Sequence, residues 1–248
     1  MARPEQGKAD YRPLGTNSQI LVSCLCVTED RPAFLPWLLW NYRKQDHGAR
    51  ELVIVDSSRE PLISSDPDVT VVKCPPRTNV ASKRNLAVQA ARGALITWFD
   101  DDDWQHPRRI SILAAALGEH GLLAGSRRSW FVDVYRGGAR PHDAHRNVIF
   151  NGLAVRRAAL HSVRFDEQRA RAADTPWLAA VLRQTGGVTR VVPEILFWWL
   201  CHGANISNPV TRYTFPNSLA DVARAVGPAD WGDTDQQLVD LRRRLRGR

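Results

Sequence analysis

Two hydrophobic patterns alternate along the chain. Short, mostly apolar runs rich in β-branched residues give way to stretches where apolar residues return every three or four positions. The runs are 20–27 (ILVSCLCV), 51–55 (ELVIV), 69–73 and 94–99 (ALITWF). Runs of this kind predict buried strands. Between them, 31–45 places Phe34, Leu35, Leu38, Leu39 and Tyr42 on one helical face, and 79–92 is amphipathic and stopped by Gly93. A further helix at 107–117 begins with Pro107, whose missing N–H costs nothing in a first turn. The β-α-β-β-α-β-α order over the first 120 residues predicts an α/β fold: an open, mostly parallel sheet flanked by helices on both faces.

The second half is less regular. There 124–135 and 147–155 read as strands, 174–184 as a helix, and 188–192 and 195–201 as extended segments. Residues 1–18 are polar and read as a flexible tail, 19–226 as a single domain in two halves (19–120 and 121–226), and 227–248 as a peripheral helical segment.

Composition narrows the class. The 248 residues are 44% apolar and 24% charged, the balance of a soluble globular protein. The longest apolar run, 195–201, falls well short of the roughly 20 residues that span a bilayer. The first residues hold no apolar segment of a secretory leader, so a cytoplasmic location is expected. Cys24, Cys26, Cys74 and Cys201 show no C-x-x-C spacing and read as reduced thiols. A net charge of +8 favours anionic partners such as nucleotides, phosphates, acidic lipids or nucleic acid. The arginine-rich end, 242–248, is either a solvated helix terminus favoured by its dipole or a patch for nucleic acid or a membrane surface.

In open parallel sheets ligands bind beyond the carboxyl ends of the strands. Here those ends carry Thr28-Glu29-Asp30, Asp56-Ser57-Ser58 and Asp100-Asp101-Asp102-Asp103. Four successive carboxylates repel one another. Capping the helix that starts at Pro107 needs one of them, whereas a hard divalent cation, Mn²⁺ or Mg²⁺, bridging to a diphosphate uses several. Asp56 either accepts from a nucleobase N–H or starts the next turn. Lys83 and Arg84 either bind a diphosphate or form a solvated helix pair.

Together these residues resemble the family 2 glycosyltransferases, which have the GT-A fold. The family's E-[IV]-[IV]-V-V-D strand is matched by Glu51-Leu52-Val53-Ile54-Val55-Asp56. Its A-x-x-R-N helix is matched by Ala81-Ser82-Lys83-Arg84-Asn85, and its A-x-G-x-x-[IV]-x-F-x-D-x-D-D strand by 91–103. The opening strand ends at Thr28 with Arg31 close behind. Further on, Phe165-Asp166-Glu167 matches a common F-D-E, and Ala173-Asp174 stands where the family commonly has Glu-Asp. Cys201-His202-Gly203-Ala204-Asn205-Ile206-Ser207 resembles a late H-x-x-N-x-S segment. Asp56 is followed by Ser57-Ser58 instead of Asp-Gly-Ser, and the Gln-x-x-Arg-Trp segment of processive members is absent.

The resemblance implies a non-processive inverting transfer from a nucleoside-diphosphate sugar, by default a uridine or thymidine diphosphate sugar, to an acceptor hydroxyl. That acceptor is a glycan, a lipid carrier, a peptide or a specialised metabolite. Residues 19–120 then form the nucleotide-sugar half and 121–226 a smaller acceptor-side region. Thr28, Glu29, Arg31, Asp56, Lys83, Arg84, Asp100 and Asp101 belong to the donor site, Asp102 and His202 to the metal, and Asp174 is the base. Acceptor candidates are Arg127, Trp130, Asn151, Gly152 and Trp177, with Arg128, Trp198 and Trp199 beside them. Each tryptophan either stacks on an acceptor or fills the core. Three rival readings are a basic nucleic-acid-binding module, which the acidic cluster opposes, a nucleotidyltransferase, whose Gly-rich loop after the first strand is missing, and a family 2 homologue that binds without catalysing, which Asp100, Asp102 and Asp174 oppose.

Overall fold

The computed structural model describes residues 19–145, 147–169, 172–203, 205 and 214–247. The apolar runs form strands β1 (Val22–Thr28), β2 (Arg50–Asp56), β3 (Val69–Lys73) and β4 (Leu95–Trp98). The amphipathic stretches form α1 (Leu35–Arg43), α2 (Val80–Ala90) and, after the two-residue strand β5 (Trp104–Gln105), α3 (Arg109–Leu117). β1 pairs in parallel with both β2 and β4, and β2 with β3. Successive residues of β1 point to opposite faces. Leu25 therefore packs with Val53, Val55, Ala81 and Ala87 on the α2 side. Cys24 and Cys26 pack with Leu52, Ile54, Leu38 and Leu113 on the α1–α3 side. A mostly apolar run is what such two-sided burial requires.

A buried carboxylate ties the base of the sheet together. Glu51 is 2% exposed. It accepts from Ser23 Oγ (2.6 Å), Arg92 N (2.6 Å) and Arg92 Nε (2.7 Å). Burial alone would raise its pKa, but the donors from Ser23 and Arg92 outweigh this and hold it below the ordinary range. A Cβ on the next residue, Gly93, would stand 2.6 Å from Ser23 N, so only glycine fits this close approach.

The second half departs from the sequence expectation in one instructive place. The segment read as one strand, 124–135, splits into β6 (Leu123–Ser126) and β7 (Arg128–Asp133), which lie in different sheets. Ser126 makes the corner: its hydroxyl accepts from Arg128 N (3.1 Å) and donates to Glu194 O (2.7 Å). The polar strand β8 (Gly138–Asp143) shows no apolar alternation and was not expected. Then follow β9 (Leu153–Arg156), α4 (Asp174–Gln184), β10 (Arg190–Val192), β11 (Phe197–Cys201) and β12 (Asn217–Ser218). The chain closes with α5 (Leu219–Val226), α6 (Pro228–Trp231) and α7 (Thr234–Arg246).

Among the described residues the first sheet has the order β10-β6-β9-β4-β1-β2-β3, with β9 antiparallel to both its neighbours. The second has the order β12-β8-β7-β11-β5. Its core is aromatic: Trp104 stacks on Trp198 at 4.0 Å, and Trp198 on Trp231 at 5.1 Å. Val222, Leu238 and Leu241 of the last helices are buried in the same cluster, so α5–α7 close one side of this sheet. All four cysteines are free thiols. Among the described residues no helix is long and apolar enough to cross a membrane.

Candidate active site

Parallel register brings the strand ends level. Thr28 stands opposite Asp56, and Leu25 opposite Trp98, so the chain leaving β4 enters Asp100–Asp103 beside the end of β1. The four aspartates then divide into two pairs. Asp101 and Asp103 turn inward and are each 3% exposed, while Asp100 and Asp102 are only half-buried.

Each inward aspartate is tied to the scaffold. Asp101 accepts from Thr28 Oγ1 (2.6 Å) and Arg31 Nη1 (2.7 Å). Burial pushes its carboxyl up to about 7 against the pull of the Arg31 charge. Asp103 accepts from Asn151 Nδ2 at 2.9 Å, and its backbone carbonyl accepts from Trp37 Nε1. Burial, with the charges of Asp102 and Asp100, raises the Asp103 carboxyl well above the usual range. The amide of Asn151 also donates to Asp100 at 2.6 Å, so one side chain orients both carboxylates.

Asp102 meets a residue a hundred positions away. Its Oδ2 lies 3.0 Å from His202 Nε2 and 2.5 Å from Arg31 Nη2. Arg31 Nη2 is in turn 3.2 Å from His202 Nε2. Burial alone would raise the Asp102 carboxyl, but the Arg31 charge and the His202 contact outweigh it and hold it below the ordinary range. Asn205 Oδ1 accepts from His202 N at 2.8 Å and fixes the backbone there. The rest of the matched late motif, Ala204 and Ile206-Ser207, lies outside the described residues.

The helix motif sits above these strand ends. Asn79 caps α2 by accepting from Ser82 N at 2.8 Å. Lys83 is 3% exposed and points inward, donating to Thr28 O (3.1 Å) and Ser57 Oγ (3.0 Å), with Glu29 at 3.4 Å. It therefore braces the ends of β1 and β2. Arg84 is 9% exposed and has no hydrogen-bond partner among the described residues. Its guanidinium lies over Phe150 (4.5 Å), Phe165 (5.4 Å) and Trp98 (5.6 Å), and its charge is felt at Asp100. Asn85 clamps Phe165 through both backbone groups, at 3.0 and 2.9 Å. Glu167 accepts from Ser82 (2.9 Å) and Asn85 (2.7 Å). The R-N and F-D-E motifs thus grip each other, a contact that sequence spacing does not reveal.

The other expected site residues have varied surroundings. Both carboxylate oxygens of Asp56 accept backbone N–H groups, from Ser58 at 2.9 Å and Leu62 at 2.8 Å, so it builds the turn after β2. Glu29 accepts from Arg77 N at 2.7 Å. Trp177 is 2% exposed and stacks on Phe165 at 4.8 Å, filling the core instead of facing an acceptor. A Cβ on Gly152 would meet Phe197 at 2.8 Å, which makes its place a packing requirement. Trp198 is buried and Trp199 stacks on Phe131 at 4.5 Å. Trp130 and Arg128 line a hollow of about 600 Å³ with Arg140 and His142. Arg127 donates to His145 O at 2.9 Å. Asp174 opens α4, half-buried, and its carboxylate has no hydrogen-bond partner among the described residues.

An open mixed sheet, a mainly parallel strand order and an acidic strand end are the architecture of the GT-A fold. Solved structures share the fold. TarS of S. aureus in complex with UDP-GlcNAc superposes with a TM-score of 0.61 at 16% identity over 84% of this chain and 65% of that one. A longer TarS structure gives 0.58 at 16% identity over 74% of this chain and 37% of that one. The mannosyltransferase PcManGT of Pyrobaculum calidifontis, in complex with GDP-Man and Mn²⁺, gives 0.54 at 16% identity over 71% and 56%. This chain thus spans between about a third and two thirds of the length of these structures. No curated protein matches it by sequence. Residues 23–173 match the model described as Glycosyl transferase family 2, and the chain belongs to that family.

Proposed function

We propose that the chain transfers a sugar from a nucleoside-diphosphate donor, a uridine or thymidine diphosphate sugar, to an acceptor hydroxyl with inversion at the anomeric carbon. The observation that carries this reading is the pairing of two half-buried aspartates with an arginine that has no hydrogen-bond partner among the described residues. Asp100 and Asp102 are half-buried at the strand end, and the Arg84 guanidinium, unbonded among the described residues, lies where its charge is felt at Asp100. Structures of similar fold are complexes with UDP-GlcNAc, or with GDP-Man and Mn²⁺, which supports the donor class.

A divalent cation fits the donor set. Asp102 Oδ2 and His202 Nε2 converge at 3.0 Å, an oxygen and an imidazole nitrogen suited to Mn²⁺. Among the described residues no third His, Cys, Asp or Glu joins them, leaving the remaining positions to water and the donor's phosphates. When bound, the cation neutralises the departing diphosphate. Arg84 donates to the phosphate oxygens, a charge-assisted bond that strengthens as leaving-group charge develops. Asp100, oriented by Asn151, accepts from ribose or sugar hydroxyls. Lys83 and Asp101 hold the ends of β1 and β2 in register. Asp174 removes the acceptor hydroxyl proton as that oxygen attacks the anomeric carbon. Residues 19–120 form the donor half of the unit and 121–226 the acceptor half.

The test is a thermal-shift panel of nucleoside diphosphates and nucleotide sugars with and without Mn²⁺. The expected result is a Mn²⁺-dependent rise in melting temperature with one nucleobase. No shift with any nucleotide would overturn the reading.

A further inference from the structure

The point where Asp102 and His202 converge is filled by a side chain of the protein itself. Arg31 Nη2 lies 2.5 Å from Asp102 Oδ2 and 3.2 Å from His202 Nε2. Those two atoms are 3.0 Å apart. Neighbouring ligands at about 2.1 Å from an octahedral ion also stand about 3 Å apart, so they are spaced as ligands of one ion. A dication and a guanidinium nitrogen cannot share that volume, and at such a separation their charges repel strongly.

Resting on the donor reading above, we propose that Arg31 is a built-in counter-cation that occupies the divalent-cation position of the donor-free protein and must release Asp102 and His202 before a cation binds. Two further contacts make the release local. Arg31 Nη1 is held independently by Asp101 at 2.7 Å. Its Cζ lies 4.5 Å over the Phe34 ring, which is itself 4.7 Å from the His202 ring. The side chain therefore keeps a pivot and a platform when Nη2 lets go. The same geometry argues against Arg31 simply replacing the cation at the diphosphate. Its two terminal nitrogens are committed to Asp101 and Asp102, while Arg84 has no hydrogen-bond partner among the described residues. Without a cation, Arg31 keeps neighbouring carboxylates from driving one another apart. A cation that arrives with a diphosphate brings additional oxygen ligands and displaces Arg31 more readily than one arriving alone. By linkage, cation and nucleotide then strengthen each other's binding.

The experiment follows the free Mn²⁺ signal by electron paramagnetic resonance as donor-free protein is added. Arg31→Met is expected to bind Mn²⁺ at least about tenfold more tightly than wild type, and adding Asp102→Asn removes the gain. Arg31→Gln serves as a second variant should the first fail to fold. On the wild-type chain, the ¹⁵N guanidinium signal of Arg31 is expected to move when Mg²⁺ and UDP are added together. Arg31 variants that bind Mn²⁺ no more tightly than wild type, or an Arg31 signal that stays fixed while Mg²⁺ and UDP bind, would overturn the proposal. A wild-type protein that ignores UDP while the Arg31 variants gain Mn²⁺ affinity overturns the donor reading and leaves the counter-cation in place.

Discussion

The acidic strand end and the start of α4 are built on opposite principles. At the strand end nearly every polar group is engaged: Asp101 by Thr28 and Arg31, Asp103 by Asn151, Asp56 by two backbone amides, and Lys83 by two strand ends. At α4 the Asp174 carboxylate has no partner among the described residues. Fixed dipoles that do not reorganise suit the stabilisation of a leaving group. A proton acceptor must instead keep a lone pair for its substrate. The contrast is the one the proposed displacement calls for, and each half can be broken separately.

The largest effect is expected at the fixed side. Asp102→Ala should abolish both the Mn²⁺-dependent thermal shift with nucleotide and transfer, because His202 alone cannot hold the cation. Asp174→Asn should separate the two sides: roughly 10²–10⁴-fold loss of transfer in a radiolabelled-donor assay, with the nucleotide thermal shift unchanged. Equal loss of both would show that Asp174 belongs to the fixed side. Arg84→Met keeps the contact with Phe150 but removes the charge. It should weaken nucleotide diphosphate binding by about 10–100-fold in calorimetry, the worth of a charged hydrogen bond. Asn151→Ala removes the donor shared by Asp100 and Asp103 and should lower unfolding stability by about 1–3 kcal/mol in urea. A stability unchanged by this substitution would mean that the fixed side does not depend on its hydrogen bonds.

The smallest expected effect concerns pH. His106 follows β5, is 3% exposed and accepts from Arg108 N through Nδ1 at 3.0 Å. Burial lowers its pKa to about 4, with Asp230 opposing. The unfolded chain therefore binds a proton below about 6.5 that the folded chain refuses until about 4. Stability from this residue is present above 6.5 and is lost as pH falls through that window, about 2 kcal/mol by pH 5. His106→Asn should flatten this slope in denaturant titrations at pH 5 and pH 7, while the Mn²⁺-dependent shift at pH 7 stays.

The first 120 residues were legible because their signals are local. A run such as 94–99 has one structural solution, and its end marks the sheet edge where Asp100–Asp103 emerge. The second half was less legible. β8 carries Arg, Pro, His and Asp with no apolar period, and its place is set by its neighbours. The split at Ser126 depends on Glu194, far along the chain. Trp177 and Trp130 could not be sorted by type, since an indole that fills a core and one that stacks on a sugar look alike in sequence.

What the sequence determined by itself is the parallel sheet, the helices on its two faces and the gathering of carboxylates at one edge, because hydrophobic period and strand direction are properties of neighbouring residues. Only the tertiary structure decided which two aspartates face outward, that Asp56 serves its own turn, that Asn151 orients Asp100, and that Arg31 and His202 meet at Asp102. Those outcomes depend on the pleat at a strand end and on contacts between residues fifty to a hundred and seventy positions apart, which no local pattern encodes.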